Sequence, residues 1–299
     1  MTTETDVSCP SCGAPLQTGD RFCERCGAKL DDEPTRHASA GRVELDLTIA
    51  AAVSDQGLHH HRNEDSFHLE VAGDRNVAVV VCDGISSASA GNVAARDAAK
   101  AAGIVLGHAV SEPDKEPTQA ILDAIQAAVD AVIQVEWTTR VKRVDPSCTL
   151  VSAVCRGVDI TVGWVGDSRA YWFDGEQSRQ LTVDDSFAEE GIAKGLLTPE
   201  QAAKSPFLHS ITHWVGPDAP ERPPRTVSIR PERPGRLVLC TDGLWNYAPT
   251  AGELRGLIDT LPDGAVPAAV ARALVDTANE RGGHDNITVA VVDIDPSAV

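Results

Sequence analysis

The chain has 299 residues, of which 42% are hydrophobic, and its formal net charge is −18 at pH 7. This length allows one large domain or two smaller ones with a substantial core. The acidity argues against binding to a nucleic-acid backbone, which needs a basic surface. No apolar run approaches the roughly 20 residues that cross a bilayer, and the first residues lack a secretory signal, so we expect a cytoplasmic protein without nucleic-acid or membrane partners.

The first thirty residues contain two Cys-x-x-Cys-Gly turns, formed by Cys9, Cys12, Cys23 and Cys26. Four thiolates at this spacing suit one tetrahedral Zn²⁺, whereas a redox motif normally uses a single pair. A segment this short cannot form a core without a metal. We predict a structural zinc ribbon over residues 1–30 and a polar linker over 31–42. The ribbon resembles modules at the ends of many bacterial proteins, and its balanced charge favours docking to another protein.

The main domain is predicted over residues 43–295. Strand patterns cover residues 42–55, 76–83, 148–157, 159–173, 225–231, 235–242 and 285–294. Helical patterns cover residues 90–110, 118–137, 182–205, 250–261 and 266–282. An Asp-Gly pair within residues 173–177 is typical of a hairpin turn. Because strands come in consecutive runs and helices in pairs, we predict an α+β fold of antiparallel sheets covered by helices.

Four further cysteines, Cys82, Cys148, Cys155 and Cys240, lie within apolar, strand-like runs. In a reducing cytoplasm, thiols in such runs behave as small buried hydrophobic groups. We therefore predict that these four are structural and unpaired.

Acidic residues recur at the ends of the predicted strands: Asp83, Asp167, Asp242 and Asp285, with the pair Glu64 and Asp65 after the first strand. Any one of them could be a turn residue. Burying several like charges together, however, is costly unless cations compensate them. Carboxylate oxygens favour Mg²⁺ or Mn²⁺ over zinc, and two such ions can activate water and clamp a phosphoryl group.

Five stretches resemble the metal-dependent protein phosphatases (the PPM, or type 2C, family) in order and spacing. They read "SDQGLHHHRNEDSF", "VVVCDGISS", "VGWVGDSRAYWF", "LVLCTDGLW" and "GGHDNITV", and the resemblance covers about residues 47–294. It implies an α-β-β-α sandwich of two antiparallel sheets flanked by helices. It also implies hydrolysis of phosphoserine or phosphothreonine in phosphoproteins, the products of a serine/threonine kinase, by a hydroxide that bridges two Mn²⁺ or Mg²⁺ ions.

The resemblance also assigns roles to single residues. Asp83 is expected to bridge the two ions and Gly84 to offer its backbone carbonyl. Asp242 and Asp285 are expected to complete the shell of one ion, and Glu64 to hold the other through water. Asp167 matches a position that helps bind a third, weaker ion in bacterial members, and Asn286 would support its neighbour from outside the shell.

Two positions depart from the family pattern. Where the family commonly has a phosphate-binding arginine, four residues before the glutamate, this chain has His60, and an arginine follows at Arg62. Either side chain is a candidate for the phosphate contact, although the two are not equivalent. The other departure is Ile85, which cannot act as a general acid. Ile85 alone does not argue for inactivity, but the absence of arginine at position 60 leaves an alternative: a weak or inactive phosphatase-like module that binds phosphoproteins and regulates them.

Overall fold

A computed structural model describes residues 35–298, apart from residues 40, 113, 138–143, 203–204, 206 and 208–209. The predicted zinc ribbon and its four cysteines lie outside the described residues. Among those described, no helix is both long enough and apolar enough to cross a membrane.

Twelve strands in the described part of the chain form two antiparallel sheets. They are β1 (Thr35–Ser39), β2 (Arg42–Asp46), β3 (Ala50–Asp55), β4 (Asp65–Ala72), β5 (Asn76–Asp83), β6 (Leu150–Arg156), β7 (Asp159–Val165), β8 (Arg169–Asp174), β9 (Ser178–Gln180), β10 (Arg225–Ile229), β11 (Gly235–Cys240) and β12 (Ile287–Ile294). The seven-stranded sheet has the order β1-β2-β3-β12-β11-β8-β9, and the five-stranded sheet has the order β10-β7-β6-β5-β4.

Seven α-helices lie in the described part of the chain. They are α1 (Gly91–Ser111), α2 (Pro117–Ile133), α3 (Phe187–Ala193), α4 (Pro199–Ala202), α5 (Asp242–Trp245), α6 (Ala251–Ile258) and α7 (Pro267–Glu280). The helices α1 and α2 pack on the five-stranded sheet, α5, α6 and α7 pack on the seven-stranded sheet, and a third core lies between the sheets. The predicted α-β-β-α sandwich is therefore confirmed.

The strand β5 shows why its sequence is apolar without interruption. Successive side chains point to opposite faces of a sheet. Val77, Val79 and Val81 face the other sheet, whereas Val80 and Cys82 face α1 and α2. All five are fully buried, as a strand covered on both faces requires.

The predicted strand over residues 42–55 is wrong as a single strand, because it is the hairpin of β2 and β3. Thr48 adopts a left-handed backbone conformation, with φ of 70°, between them. The linker prediction over residues 31–42 is also wrong in part: Thr35–Ser39 forms β1, which pairs along its whole length with β2.

The predicted strand over residues 159–173 is two strands in different sheets, β7 and β8. The break falls at Gly166, whose φ is 102°. A Cβ there would lie 2.8 Å from the side chain of Thr149, so glycine is needed for both the conformation and the close approach. The chain thus crosses from one sheet to the other immediately before Asp167.

Most of the other predicted elements agree with the structure. The two alanine-rich helices correspond to α1 and α2, and the Asp-Gly pair forms the β8–β9 hairpin. The four cysteines in the strand-like runs are buried and unpaired. The helical pattern over residues 182–205 is divided between α3 and α4.

Candidate active site

The predicted acidic residues meet at one end of the sandwich, here called the acidic end. Asp83 ends β5 and lies opposite Asp65, the first residue of β4. Asp242 begins α5, separated from β11 only by Thr241, and Asp285 is separated only by Asn286 from β12, which pairs with β11. Asp167 lies in the turn between β7 and β8. Elements of both sheets therefore bring five carboxylates to the same edge.

The end of β5 is held by hydrogen bonds with Thr149 and by close packing against the start of α1. The backbone N–H of Asp83 donates to Thr149 Oγ1 at 3.3 Å, and the N–H of Thr149 donates to the carbonyl of Asp83 at 2.8 Å. At Gly84, an added Cβ would lie 2.5 Å from the backbone carbonyl of Gly91, at the start of α1. A side chain at Gly84 would therefore push the acidic strand end away from that helix.

Asn286 ties the loop before β4 to the start of β12. Its Oδ1 accepts from the N–H of Glu64 at 2.7 Å, and its Nδ2 donates to the carbonyls of Gln56 and Arg62 at 2.7 and 3.1 Å. Its own N–H donates to Asp285 Oδ1 at 2.8 Å. One buried amide thus fixes the backbone beside both Glu64 and Asp285.

The carboxylates are held in an environment that disfavours their negative charge. Burial raises the pKa of Asp65 to about 7 and that of Asp242 to about 6, and neighbouring carboxylates add to both shifts. Burial, reinforced by the other acids, also raises the pKa of Asp83 and of Asp167 well above the usual range. The charged, metal-binding forms of these groups therefore need a compensating cation.

Two oxygens in this cluster mark where such a cation would fit. Asp65 Oδ1 and Asp242 Oδ1 are buried and have no hydrogen-bond partner. The second oxygen of Asp65 accepts from Thr241 Oγ1 at 2.9 Å. Oxygen donors of this kind suit Mg²⁺ or Mn²⁺. The residues present therefore fit a divalent cation, although no three described His, Cys, Asp or Glu side chains already converge as a ligand set.

Asp167 is positioned by aromatic and cationic neighbours. Trp245 Nε1 donates to the backbone carbonyl of Asp167 at 3.0 Å. The guanidinium of Arg169 lies 3.8 Å from the centre of the Trp245 ring and 2.8 Å from Asp184. This buried chain of contacts joins α5 to the turn between the sheets.

The two candidates for the phosphate contact have different surroundings. His60 Nε2 lies 3.1 Å from Asp285 Oδ1, and the side chain is 32% exposed. Arg62 is 66% exposed, and its Nε lies 3.6 Å from Glu64. Its NH1 also contacts Asn92 Oδ1, near the start of α1, at 3.4 Å. His60 is thus engaged with an acid of the cluster, while the guanidinium of Arg62 remains open to solvent.

Asp65 is the functional candidate that the sequence analysis did not assign. The acidic pair was noted, but only Glu64 received a role. The predicted strands omit residues 65–72, although the alternation of that stretch is the signal: Asp65 lies on the inner face of β4 with Phe67 and Leu69. A carboxylate on that face has to be buried.

Comparison with known proteins identifies the family of the chain. The family model of protein phosphatase 2C matches residues 58–282. The chain belongs to the protein phosphatase 2C family. A second family model, of a zinc-ribbon domain, matches residues 8–30, which agrees with the predicted ribbon.

Individual relatives are serine/threonine phosphatases. The chain is 32% identical over 264 residues to serine/threonine protein phosphatase PstP of Mycobacterium tuberculosis, a match that covers 85% of this chain and 46% of that protein. The chain thus spans about half the length of this relative. The crystal structure of phosphatase Stp1 from Staphylococcus aureus is similar at a TM-score of 0.70 and 25% identity, covering 84% of this chain and 96% of that one.

A third similar structure is the catalytic domain of PstP in complex with two manganese ions. It is 27% identical to this chain, with a TM-score of 0.62, and the match covers 82% of this chain and 98% of that domain. The predicted family and fold are thus confirmed, while the role of each acidic residue in this chain stays a prediction.

Proposed function

We propose that this chain is a metal-dependent phosphatase that hydrolyses phosphoserine and phosphothreonine in proteins. The observation that carries this proposal is the group of buried carboxylates, two of them with an unpartnered oxygen, at the acidic end of a protein phosphatase 2C fold. Several like charges without protein cations are costly to bury, so their retention indicates a site for cations.

Each acidic residue would have its own role in binding the metal ions. Asp83 would be shared by two Mn²⁺ or Mg²⁺ ions, with Asp242 and Asp285 on one side and Glu64 on the other. The backbone carbonyl of Gly84 would add an uncharged ligand, and Asp167 would serve a third, weaker ion. Asp65, which the Thr241 hydroxyl orients, would add negative charge behind this set. Bound there, the ions would acidify a water molecule and neutralise the phosphate.

We infer that Arg62 binds the substrate phosphate and that His60 orients Asp285. Arg62 has an exposed, forked donor on the rim of the acidic end, and guanidinium groups match phosphate geometry. His60 is the weaker candidate for phosphate because its Nε2 already faces a carboxylate at 3.1 Å. Ile85 offers no proton, so the leaving hydroxyl would take its proton from water.

Phosphate release from a phosphothreonine peptide tests the proposal. We expect hydrolysis in the presence of Mn²⁺ or Mg²⁺ and its loss on chelation with EDTA. If the peptide binds but is not hydrolysed with either ion, the chain is instead a phosphoprotein-binding module. A phosphotyrosine peptide of the same sequence is the matched control for the proposed substrate class.

We further propose that the zinc ribbon docks the enzyme to another protein and takes no part in hydrolysis. The match of residues 8–30 to a zinc-ribbon model supports one zinc held by Cys9, Cys12, Cys23 and Cys26. Replacing Cys9 and Cys12 by serine should remove one equivalent of zinc from the full chain. Hydrolysis of a small aryl phosphate should be unchanged, and its loss in a folded variant would place the ribbon at the active site.

A further inference from the structure

Three rings are stacked beside Asp285 on the rim of the acidic end. The rings of His59 and His284 are parallel within 3°, with centres 4.8 Å apart. The centre of the Tyr247 ring lies 6.3 Å from that of His284, at an angle of 27° between the ring planes. We call Tyr247, His284 and His59 the ring ladder.

The ring ladder is fixed from its inner side. The Tyr247 hydroxyl and His284 Nδ1 are hydrogen-bonded at 2.7 Å, and the same hydroxyl accepts from the N–H of His284 at 3.0 Å. Arg281 donates to the carbonyl of Tyr247 at 2.7 Å, and the N–H of Leu58 donates to the carbonyl of Gly283 at 2.8 Å. A ligand that stacks on the ladder therefore does not have to order it first.

The outer end of the ring ladder is open. His59 and His284 are exposed to solvent. Among the described residues, no ring other than His284 stacks on His59, whose exposed side chain is accessible to a ligand. His59 and His284 lie outside the buried clusters, whereas Tyr247 is half-buried and packs against the core between the seven-stranded sheet and its helices.

The ring ladder is also close to the proposed site of hydrolysis. His284 directly precedes Asp285, and His60, the neighbour of His59, contacts Asp285 at 3.1 Å. Consecutive Cα atoms are about 3.8 Å apart, so an extended peptide moves by a similar length for each residue. A side chain one or two residues from the phosphoresidue can therefore reach the ladder.

We propose that the ring ladder binds an aromatic side chain located one or two residues from the phosphoresidue of the substrate. This inference rests on the proposed phosphatase function. Flat rings favour offset stacking on one another, and the ladder offers one imidazole face at its end. An acidic side chain fits less well, because Asp285, whose side chain is 41% exposed, lies beside the ladder and would repel it.

Peptides that differ in one flanking residue test this proposal. The reference is a phosphothreonine peptide with alanine at the two positions on each side, and four further peptides carry tryptophan at one of those positions. We expect kcat/KM to be about two- to tenfold higher for one tryptophan peptide than for the reference. Replacing His59 by alanine should bring that ratio to one, and Tyr247→Phe should reduce it by freeing His284.

His61→Ala is the matched control, because His61 is an exposed histidine of the same loop outside the ladder. It should keep both the tryptophan preference and the rate on the reference peptide. A general structural effect would change the rates on all peptides and leave their ratio unaltered, so the ratio isolates recognition from folding.

Two results would overturn the inference: equal kcat/KM for all five peptides, or a tryptophan preference that survives His59→Ala. If no peptide is hydrolysed, the proposed function fails, and the dissociation constants of the same peptides then decide the role of the ladder. Equal constants for the tryptophan and reference peptides would count against it.

Discussion

Acidic residues have opposite surroundings at the two ends of the paired strands β11 and β12. At the far end, Asp293 of β12 is held by Arg236 of β11 at 2.8 Å, and the same arginine contacts the carbonyl of Ala265. Burial raises the pKa of Asp293, but Arg236 opposes the rise. At the acidic end, Asp242 and Asp285 face other carboxylates. The comparison teaches that an acid paired with one partly buried arginine is structural, whereas several buried acids that face one another indicate a ligand.

The largest expected effect is on activity, which should be lost in variants of the acidic end and retained in a variant of the far end. Replacing Asp83 or Asp242 by asparagine should reduce metal-dependent hydrolysis by more than about 100-fold, because each change removes a proposed ligand of the ions. Asp293→Asn, the same change at the far end, should retain activity. Initial rates at saturating Mn²⁺ measure the difference. Near-normal turnover by both acidic-end variants would contradict the proposal that Asp83 and Asp242 are metal ligands.

A second prediction uses the pH dependence of stability in the metal-free protein. Asp65 has a folded pKa of about 7, above its unfolded value of about 3.9, so its contribution is present below pH 4 and is lost as the pH rises through 7. The melting temperature of the native chain should therefore fall relative to that of Asp65→Asn between pH 5 and pH 8. Parallel curves for the two proteins would show that Asp65 is not buried as described.

Adding Mn²⁺ should reverse the fall in the melting temperature of the native chain with rising pH. Metal ligands have to be deprotonated, so ion binding stabilises the folded state more strongly as the pH rises. Melting curves with and without Mn²⁺ at each pH provide the measurement. The reversal should be absent in Asp83→Asn.

A smaller effect is expected at the rim of the acidic end. Arg62→Ala should raise KM for a phosphothreonine peptide by about tenfold or more, since it removes a charged hydrogen bond to phosphate, and Arg62→Lys should recover part of the loss. His60→Ala should change KM less than Arg62→Ala does. The opposite order, with tighter binding in His60→Arg, would assign the phosphate contact to His60.

The smallest effect is expected at the exposed edge of the far end. Arg230→Gln removes an ion pair with Asp159 at 2.6 Å between two largely exposed side chains. Such pairs contribute about 1 kcal/mol or less, so the free energy of unfolding should barely change. Urea unfolding measures this change. A loss of several kcal/mol in the free energy of unfolding would show that this exposed ion pair stabilises the fold far more than such pairs usually do.

The sequence analysis predicted the layers of the fold and the acids at its edge, because both follow from local patterns. Apolar runs predict buried strands, and five motifs in order identified the family. It could not show that residues 159–173 enter two sheets, since the apolar pattern continues on both sides of Gly166 and only a backbone φ of 102° separates the strands. The strand Thr35–Ser39 was missed because its polar residues pair with β2 along a sheet edge.

The environment of single side chains was less predictable. Asp242 was expected at a strand end, but it is also the first residue of the short helix α5, where the N–H groups of a helix start are available. The contact of His60 with Asp285 joins residues that are far apart in the chain, and no spacing rule predicts it. The burial of Asp65 follows from its place on the inner face of β4, a strand that was not predicted.

The crossings between the sheets have a mechanical consequence. The chain passes from one sheet to the other at the acidic end between β3 and β4, between β7 and β8, and between β9 and β10, but at the far end between β10 and β11. Cavities of about 460 and 520 Å³ also lie toward the far end, where Ile49 and Asp74 line both. We expect thermal separation of the two sheets to start at the far end, because most connections between them lie at the acidic end. Solvent would then enter the core from the far end while the carboxylates stay together.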